Sequence, residues 1–139
     1  MSVSDGLSVF PSVIGITFFI FIGVQLYHSI IEQDAIDINV VIGAIIGYLL
    51  LGIVGGQLCL LLDTLFPHSF IHIDVDQSPY QYYYFSFISL TTVGFGDITP
   101  SNDAARSLAL LISLTGQIYL TVIIALIIGK FFARKTQHE

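Results

Sequence analysis

Three long apolar stretches divide the chain, and short polar segments separate them. The first runs from about Leu7 to Ile31, the second from about Ile38 to Leu62, and the third from about Ala104 to Phe132. At about 1.5 Å per residue, a helix over any of them could cross the roughly 30 Å hydrocarbon layer of a bilayer. The first stretch has no polar face, which argues against a helix lying in the membrane plane. The pattern therefore predicts an all-α membrane protein.

A fourth apolar stretch is too short to cross. Tyr80 to Thr92 carries a run of tyrosines and phenylalanines, and it follows a polar, proline-containing loop from Asp63 to Pro79. Such a segment survives at membrane depth only where protein or water surrounds it. The pattern indicates a re-entrant helix, whose negative C-terminal end favours a cation beyond it.

Composition agrees with a membrane location. Of the 139 residues, 55% are hydrophobic and 10% are charged, whereas a soluble domain carries about a quarter charged residues. The formal net charge of -6 argues against nucleic acid as a partner. Of the four basic residues, three follow or end the third stretch, namely Lys130, Arg134 and Lys135. The positive-inside rule then predicts a cytoplasmic C-terminus and, if the first stretch spans, Met1 on the outside.

The segment Thr91–Asp97 carries the most informative motif, Thr-Thr-Val-Gly-Phe-Gly-Asp. Glycine accepts backbone angles that other residues avoid, so the alternation allows successive carbonyl oxygens to point the same way. Together with its flanks, from Ser89 to Pro100, this segment resembles the signature of the potassium channel pore domain. The aromatic run before it and the glycine-bearing apolar stretch after it also match, and the resemblance covers roughly Val41 to Phe132. We call Thr91–Asp97 the filter segment.

The resemblance implies that the filter segment binds K+ as the transported ion. Carbonyl rings from four copies would replace the ion's hydration shell, as in potassium channel filters. One copy cannot enclose a pore, so a homotetramer in the lipid bilayer is implied. The residues expected to coordinate K+ through their carbonyls, with the hydroxyl of the first, are Thr92, Val93, Gly94 and Phe95.

Support for the filter segment is expected from the residues around it. Asp97 matches an acid that in this family accepts a hydrogen bond from behind the filter. Some members have Glu in the pore helix as its partner, but Ile88 stands at that position. Tyr84 is the expected donor, and a merely solvated carboxylate is the alternative. The expected supporting residues are Thr91, Gly96, Asp97 and Tyr84.

Gly116 resembles the hinge glycine of the family's inner helix. Glycine inside a helix costs about 1 kcal/mol relative to alanine, so two hypotheses stand: a bend, or close packing under the pore helix. Residues at spacings of three and four follow, and a wall this apolar could gate by dewetting. Lipid- or core-facing positions are the alternative. The residues expected to line the cavity are Gln117, Leu120, Thr121, Ile124 and Ile128.

The remaining residue patterns are less informative about function. His68 and His72 stand four apart near two aspartates, and an exposed loop is favoured over a metal site or proton sensor. The single cysteine, Cys59, is expected to be a small buried hydrophobe. The sequence has no catalytic constellation, so an enzyme is not expected.

These patterns predict two parts of the chain. Residues 1–37 form an N-terminal apolar segment that is expected to span the membrane, and packing against the pore or partial disorder are the alternatives. Residues 38–139 form the pore domain, with an outer helix, a pore helix, a filter strand and an inner helix. The expected function is passive potassium flux through a multi-pass protein of the cell membrane. The alternatives are a weakly selective cation channel and a non-conducting accessory subunit.

Overall fold

The computed structural model describes residues 38–73 and 79–136, together with four residues of the N-terminal segment. Those four, Ile14, Thr17, Phe21 and Val24, are helical. The prediction that residues 1–37 form a separate spanning segment otherwise lies outside the described residues. The elements are α1 (Ile38–Leu65), β1 (Phe70–Ile71), α2 (Tyr80–Leu90), β2 (Thr99–Pro100) and α3 (Asp103–Thr136).

Two of the helices are long and apolar enough to cross a membrane, over Val40–Leu65 and Asp103–Leu126. Helix α1 continues beyond the predicted end at Leu62 to Leu65, and helix α3 continues beyond Phe132 to Thr136. The residue before a proline is disfavoured in helical conformation, and α1 accordingly ends just before Phe66 and Pro67. At the start of α3, Asn102 Oδ1 accepts a hydrogen bond from the Ala105 amide at 2.8 Å, which is an N-cap.

Glycines of α1 admit aromatic rings from the other helices. A Cβ at Gly52 would lie 2.5 Å from Phe87 Cζ, and one at Gly56 would lie 2.9 Å from Tyr83 Cα. Gly47 in the same way faces the hydroxyl end of Tyr119 on α3. Small residues let membrane helices approach closely. These glycines therefore serve helix packing.

The core lies where α2 is wedged between α1 and α3. Ser86 of α2 donates to the Gly52 carbonyl at 2.8 Å, which ties α2 to the backbone of α1. Cys59 is fully buried in this core, as predicted. The buried residues of the core are Cys59, Phe70, Tyr82, Phe85, Ile88, Leu90, Ile98, Ala105 and Ile112.

Asp63 is buried in the last turn of α1, so its assignment to a polar loop was wrong. Its Oδ2 accepts a hydrogen bond from the Tyr82 hydroxyl at 2.6 Å, and its Oδ1 accepts one from the Ser69 amide at 2.7 Å. Burial of a carboxylate is costly unless its oxygens find donors. Hydropathy alone could not reveal these two donors, which lie 19 and 6 residues away.

A short antiparallel pair of strands, which the sequence did not predict, joins the chain before α2 to the chain after the filter segment. Phe70 pairs with Pro100 and Ile71 with Thr99, and the Ser101 amide donates to the Ser69 carbonyl at 2.8 Å. The filter segment itself was expected to be a strand, and this was wrong: residues 91–97 have no strand assignment. Positive φ at Thr92, Gly94 and Gly96 interrupts the extended backbone that a strand requires.

Candidate ion pathway

The filter segment is suspended from the last turn of α2. The Thr92 amide donates to the Ser89 carbonyl at 3.0 Å, and the Gly94 amide donates to the Ile88 carbonyl at 3.1 Å. The chain thus turns at the end of α2 and runs back beside it towards β2.

These two hydrogen bonds fix the direction of two carbonyls. The described residues contain no cis peptide bond, and in a trans peptide the amide and carbonyl point to opposite sides. Since the amides of Thr92 and Gly94 point towards α2, the carbonyls of Thr91 and Val93 point away from it. This is the orientation that a carbonyl ring around an ion requires.

The sign of φ alternates along the filter segment. Thr92, Gly94 and Gly96 have φ of 59°, 55° and 78°, and Val93 and Phe95 are not among the residues with positive φ. Positive φ at Gly94 and Gly96 suits glycine, which adopts it without strain. Positive φ at Thr92 was not predicted, because a β-branched residue rarely adopts it. The hydrogen bond from the Thr92 amide to the Ser89 carbonyl stabilises this conformation.

Every residue of the filter segment is exposed in the isolated subunit. Phe95 is 70% exposed, although it is a large apolar residue. Irregular backbone at membrane depth must be covered by protein or line a water-filled space. The described residues of this chain do not cover the filter segment.

The hydrogen bond expected behind the filter segment is present. The Tyr84 hydroxyl donates to Asp97 Oδ2 at 2.6 Å, and the Ile98 amide donates to Asp97 Oδ1 at 3.0 Å. Ile88 is buried in the core and offers no polar group. The Tyr84 hydroxyl holds the pKa of the Asp97 carboxyl below its ordinary value, so Asp97 is ionised at neutral pH.

Gly116 lies directly against the end of α2. A Cβ there would overlap the carbonyl oxygen of Leu90 and lie 2.9 Å from Leu90 Cδ1. Helix α3 runs unbroken through this position. Of the two hypotheses for Gly116, this contact favours close packing, and a bend stays a prediction.

The residues expected to line the cavity are exposed on the subunit. Gln117 is nearest the filter segment, with Nε2 3.5 Å from Thr92 Oγ1, and the Thr121 hydroxyl bonds back to the Gln117 carbonyl at 2.7 Å. The exposed set is Gln117, Leu120, Thr121, Ile124 and Ile128. Their role as cavity-lining residues stays a prediction.

His68 and His72 are exposed, and each has φ of 67°. Within the described residues, no group of three or more His, Cys, Asp or Glu side chains could hold a metal ion. Asp74 and Asp76, which stand near the histidines in sequence, lie outside the described residues.

Two hydroxyls that reach α2 were missed from the sequence. Tyr48 of α1 donates to the Leu90 carbonyl at 3.2 Å, and Ser113 of α3 donates to the Ser89 carbonyl at 3.0 Å. Polar side chains inside a spanning stretch seek a partner, and that is the signal that could have found them.

A family model described as an ion channel matches residues 38–133. No match was found among curated proteins or among solved structures. The matched residues contain α1, α2, the filter segment and most of α3. Because this match covers more than half of the chain, the protein belongs to the ion channel family, a family of membrane proteins, in its two-helix potassium channel pore type.

Proposed function

We propose that four copies of this chain assemble in the cell membrane into a channel that passes K+ selectively and passively. The observation that supports this most directly is the backbone of the filter segment. Its amides at Thr92 and Gly94 donate to α2, and the carbonyls opposite them, of Thr91 and Val93, point away from α2; Val93 is one of the proposed coordinating residues.

Ion coordination follows from repeating that backbone around an axis. Four copies would stack rings of carbonyl oxygens that replace the hydration shell of K+. The hydroxyl of the first residue adds a further ring at the inner end. The coordinating residues in this proposal are Thr92, Val93, Gly94 and Phe95.

Electrostatics on either side of the filter segment favour a cation. The C-terminal end of α2 carries the partial negative charge of a helix end and lies next to the filter segment. Asp97 stands at the other end with its pKa lowered, and an ionised carboxylate there raises the local cation concentration.

Assembly of copies explains the surface that one subunit exposes. The filter segment is exposed along its whole length, and so are Gln117 and Ile124 on α3. Placing these surfaces around a common axis covers the irregular backbone and gives a cavity under it. A homotetramer fits this arrangement, since each subunit contributes one filter segment.

Bi-ionic recording tests the proposal. The full chain is reconstituted in planar bilayers with K+ on one side and Na+ on the other, and the subunit number is measured by cross-linking. Each tenfold preference for K+ displaces the reversal potential by about 59 mV, and we expect a displacement larger than this. A current reversing near zero would indicate a weakly selective cation channel, and silent tetramers would indicate an accessory subunit; either outcome overturns the proposal.

A further inference from the structure

The last four carbonyls of α2 all accept hydrogen bonds. A helix leaves its last four carbonyls without partners inside the helix, and in a membrane each must find one. Two accept hydrogen bonds from the chain that follows and, within the described residues, from no other element. The Phe87 carbonyl accepts from the Thr91 amide at 3.0 Å, and the Ile88 carbonyl accepts from the Gly94 amide at 3.1 Å.

The other two carbonyls are reached from the flanking helices. The Ser89 carbonyl accepts from the Thr92 amide at 3.0 Å, and it shares the Ser113 hydroxyl of α3, also at 3.0 Å, with the Ala109 carbonyl one turn earlier in α3. The Leu90 carbonyl accepts from the Tyr48 hydroxyl of α1 at 3.2 Å. Leu90 is only 1% exposed, so water does not replace that donor.

We propose that Tyr48 and Ser113 are positioning residues for ion conduction. Their hydroxyls hold the end of α2, from which the filter segment is suspended, at a fixed depth between α1 and α3. This inference rests on the proposed function, because it concerns the same filter segment.

The backbone transmits the effect of losing either hydroxyl. The Leu90 carbonyl shares its peptide plane with the Thr91 amide, and the Ser89 carbonyl also receives the Thr92 amide. Loss of a donor destabilises a buried carbonyl, and this favours rotation of its peptide towards another donor. Rotation of either peptide weakens the hydrogen bonds that orient the start of the filter segment.

Tyr119 is a matched control for Tyr48. Its ring lies 5.9 Å from the ring of Tyr48, and its hydroxyl donates to the Ala44 carbonyl of α1 at 2.8 Å. Removal of either hydroxyl deletes one hydrogen bond to a backbone carbonyl in the same region. Only Tyr48 reaches α2, so the two substitutions separate positioning of the filter segment from general helix packing.

Amide hydrogen exchange of the assembled full chain in lipid nanodiscs, with K+ present, tests the inference. We expect exchange in the peptide covering 87–96 to be about fivefold faster in Tyr48→Phe and in Ser113→Ala. Ser113→Thr, which keeps the hydroxyl, and Tyr119→Phe should exchange at the wild-type rate there. Wild-type exchange in Tyr48→Phe, or equal acceleration in Tyr119→Phe, would overturn the inference.

The two proposals can fail separately. Exchange is measured without current, so a wild-type chain that passes no K+ refutes the proposed function and still tests the hydroxyl contacts. Where wild type conducts, Tyr48→Phe should also lose current faster than Tyr119→Phe in low potassium. Tyr48→Phe removes one oxygen atom and keeps the ring, so its result stands even if Ser113→Ala does not assemble.

Discussion

The two glycines of the filter segment are required by backbone angle and not by lack of space. Within the subunit, no atom lies within 4 Å of a Cβ built at Gly94 or Gly96. Both have positive φ, which costs other residues roughly 1 to 2 kcal/mol each. The constraint at these positions is therefore conformational.

Gly96→Ala should abolish potassium conduction or selectivity, because the added methyl group disfavours positive φ in each copy. Bi-ionic reversal potentials measure the effect. Gly129→Ala is the control, since a Cβ there also meets open space but φ is not positive. Potassium currents of wild-type size and selectivity in Gly96→Ala would refute the assignment of the filter segment.

Tyr84→Phe should speed the loss of current in low potassium. The substitution removes the hydroxyl that donates to Asp97 and leaves that carboxylate with the Ile98 amide. Tyr83→Phe is the control, because the Tyr83 hydroxyl accepts a hydrogen bond from Gln57 of α1 at 2.6 Å, away from Asp97. Equal rates of current loss in the two variants would show that the Tyr84 hydroxyl does not support the filter segment.

Acid on the side of the membrane that Asp97 faces should weaken conduction only at low pH. Because the folded state lowers the pKa of Asp97, the Tyr84 contact stabilises the fold above the ordinary carboxyl value of 3.8. That stabilisation is lost as pH falls through the lowered pKa. Currents should persist down to that ordinary value, and in Tyr84→Phe the decline should begin at a higher pH. A decline at the same pH in both would show that Tyr84 does not set the titration.

Among the helices, the contact between Gly116 and α2 allows close packing and a bend at Gly116 to be distinguished by experiment. Gly116→Ala gains about 1 kcal/mol of helix propensity, but its methyl group overlaps the Leu90 carbonyl. We expect a lower melting temperature of the tetramer and altered filter function. A tetramer that is as stable as wild type but opens less often would support the bend.

The helices could be predicted from the sequence because hydrophobic length is a local property. The filter segment and the Tyr84–Asp97 contact were predicted from a motif that resembles a known family. Asp63, Tyr48 and Ser113 could not be placed, because their partners lie on other elements. The pair formed by β1 and β2 was missed because two-residue strands show no periodicity.

For the whole molecule, the pore elements begin with α1 at Ile38. Deleting residues up to Asp34 should therefore leave a tetramer that still conducts potassium, as measured by cross-linking and planar-bilayer currents. The control is the full chain prepared in the same lipid. A deletion variant that assembles but passes no current would show that conduction requires the N-terminal segment.

Each glycine of α1 that admits an aromatic ring limits how this protein can evolve. A larger residue at Gly52 collides with Phe87, and one at Gly56 collides with Tyr83. Shrinking the ring first leaves a cavity, and Phe→Ala changes in a core cost about 3 to 5 kcal/mol. Either order of substitution passes through an impaired ancestor. Descendants should therefore keep each glycine with its ring or exchange both together, and the two positions should covary.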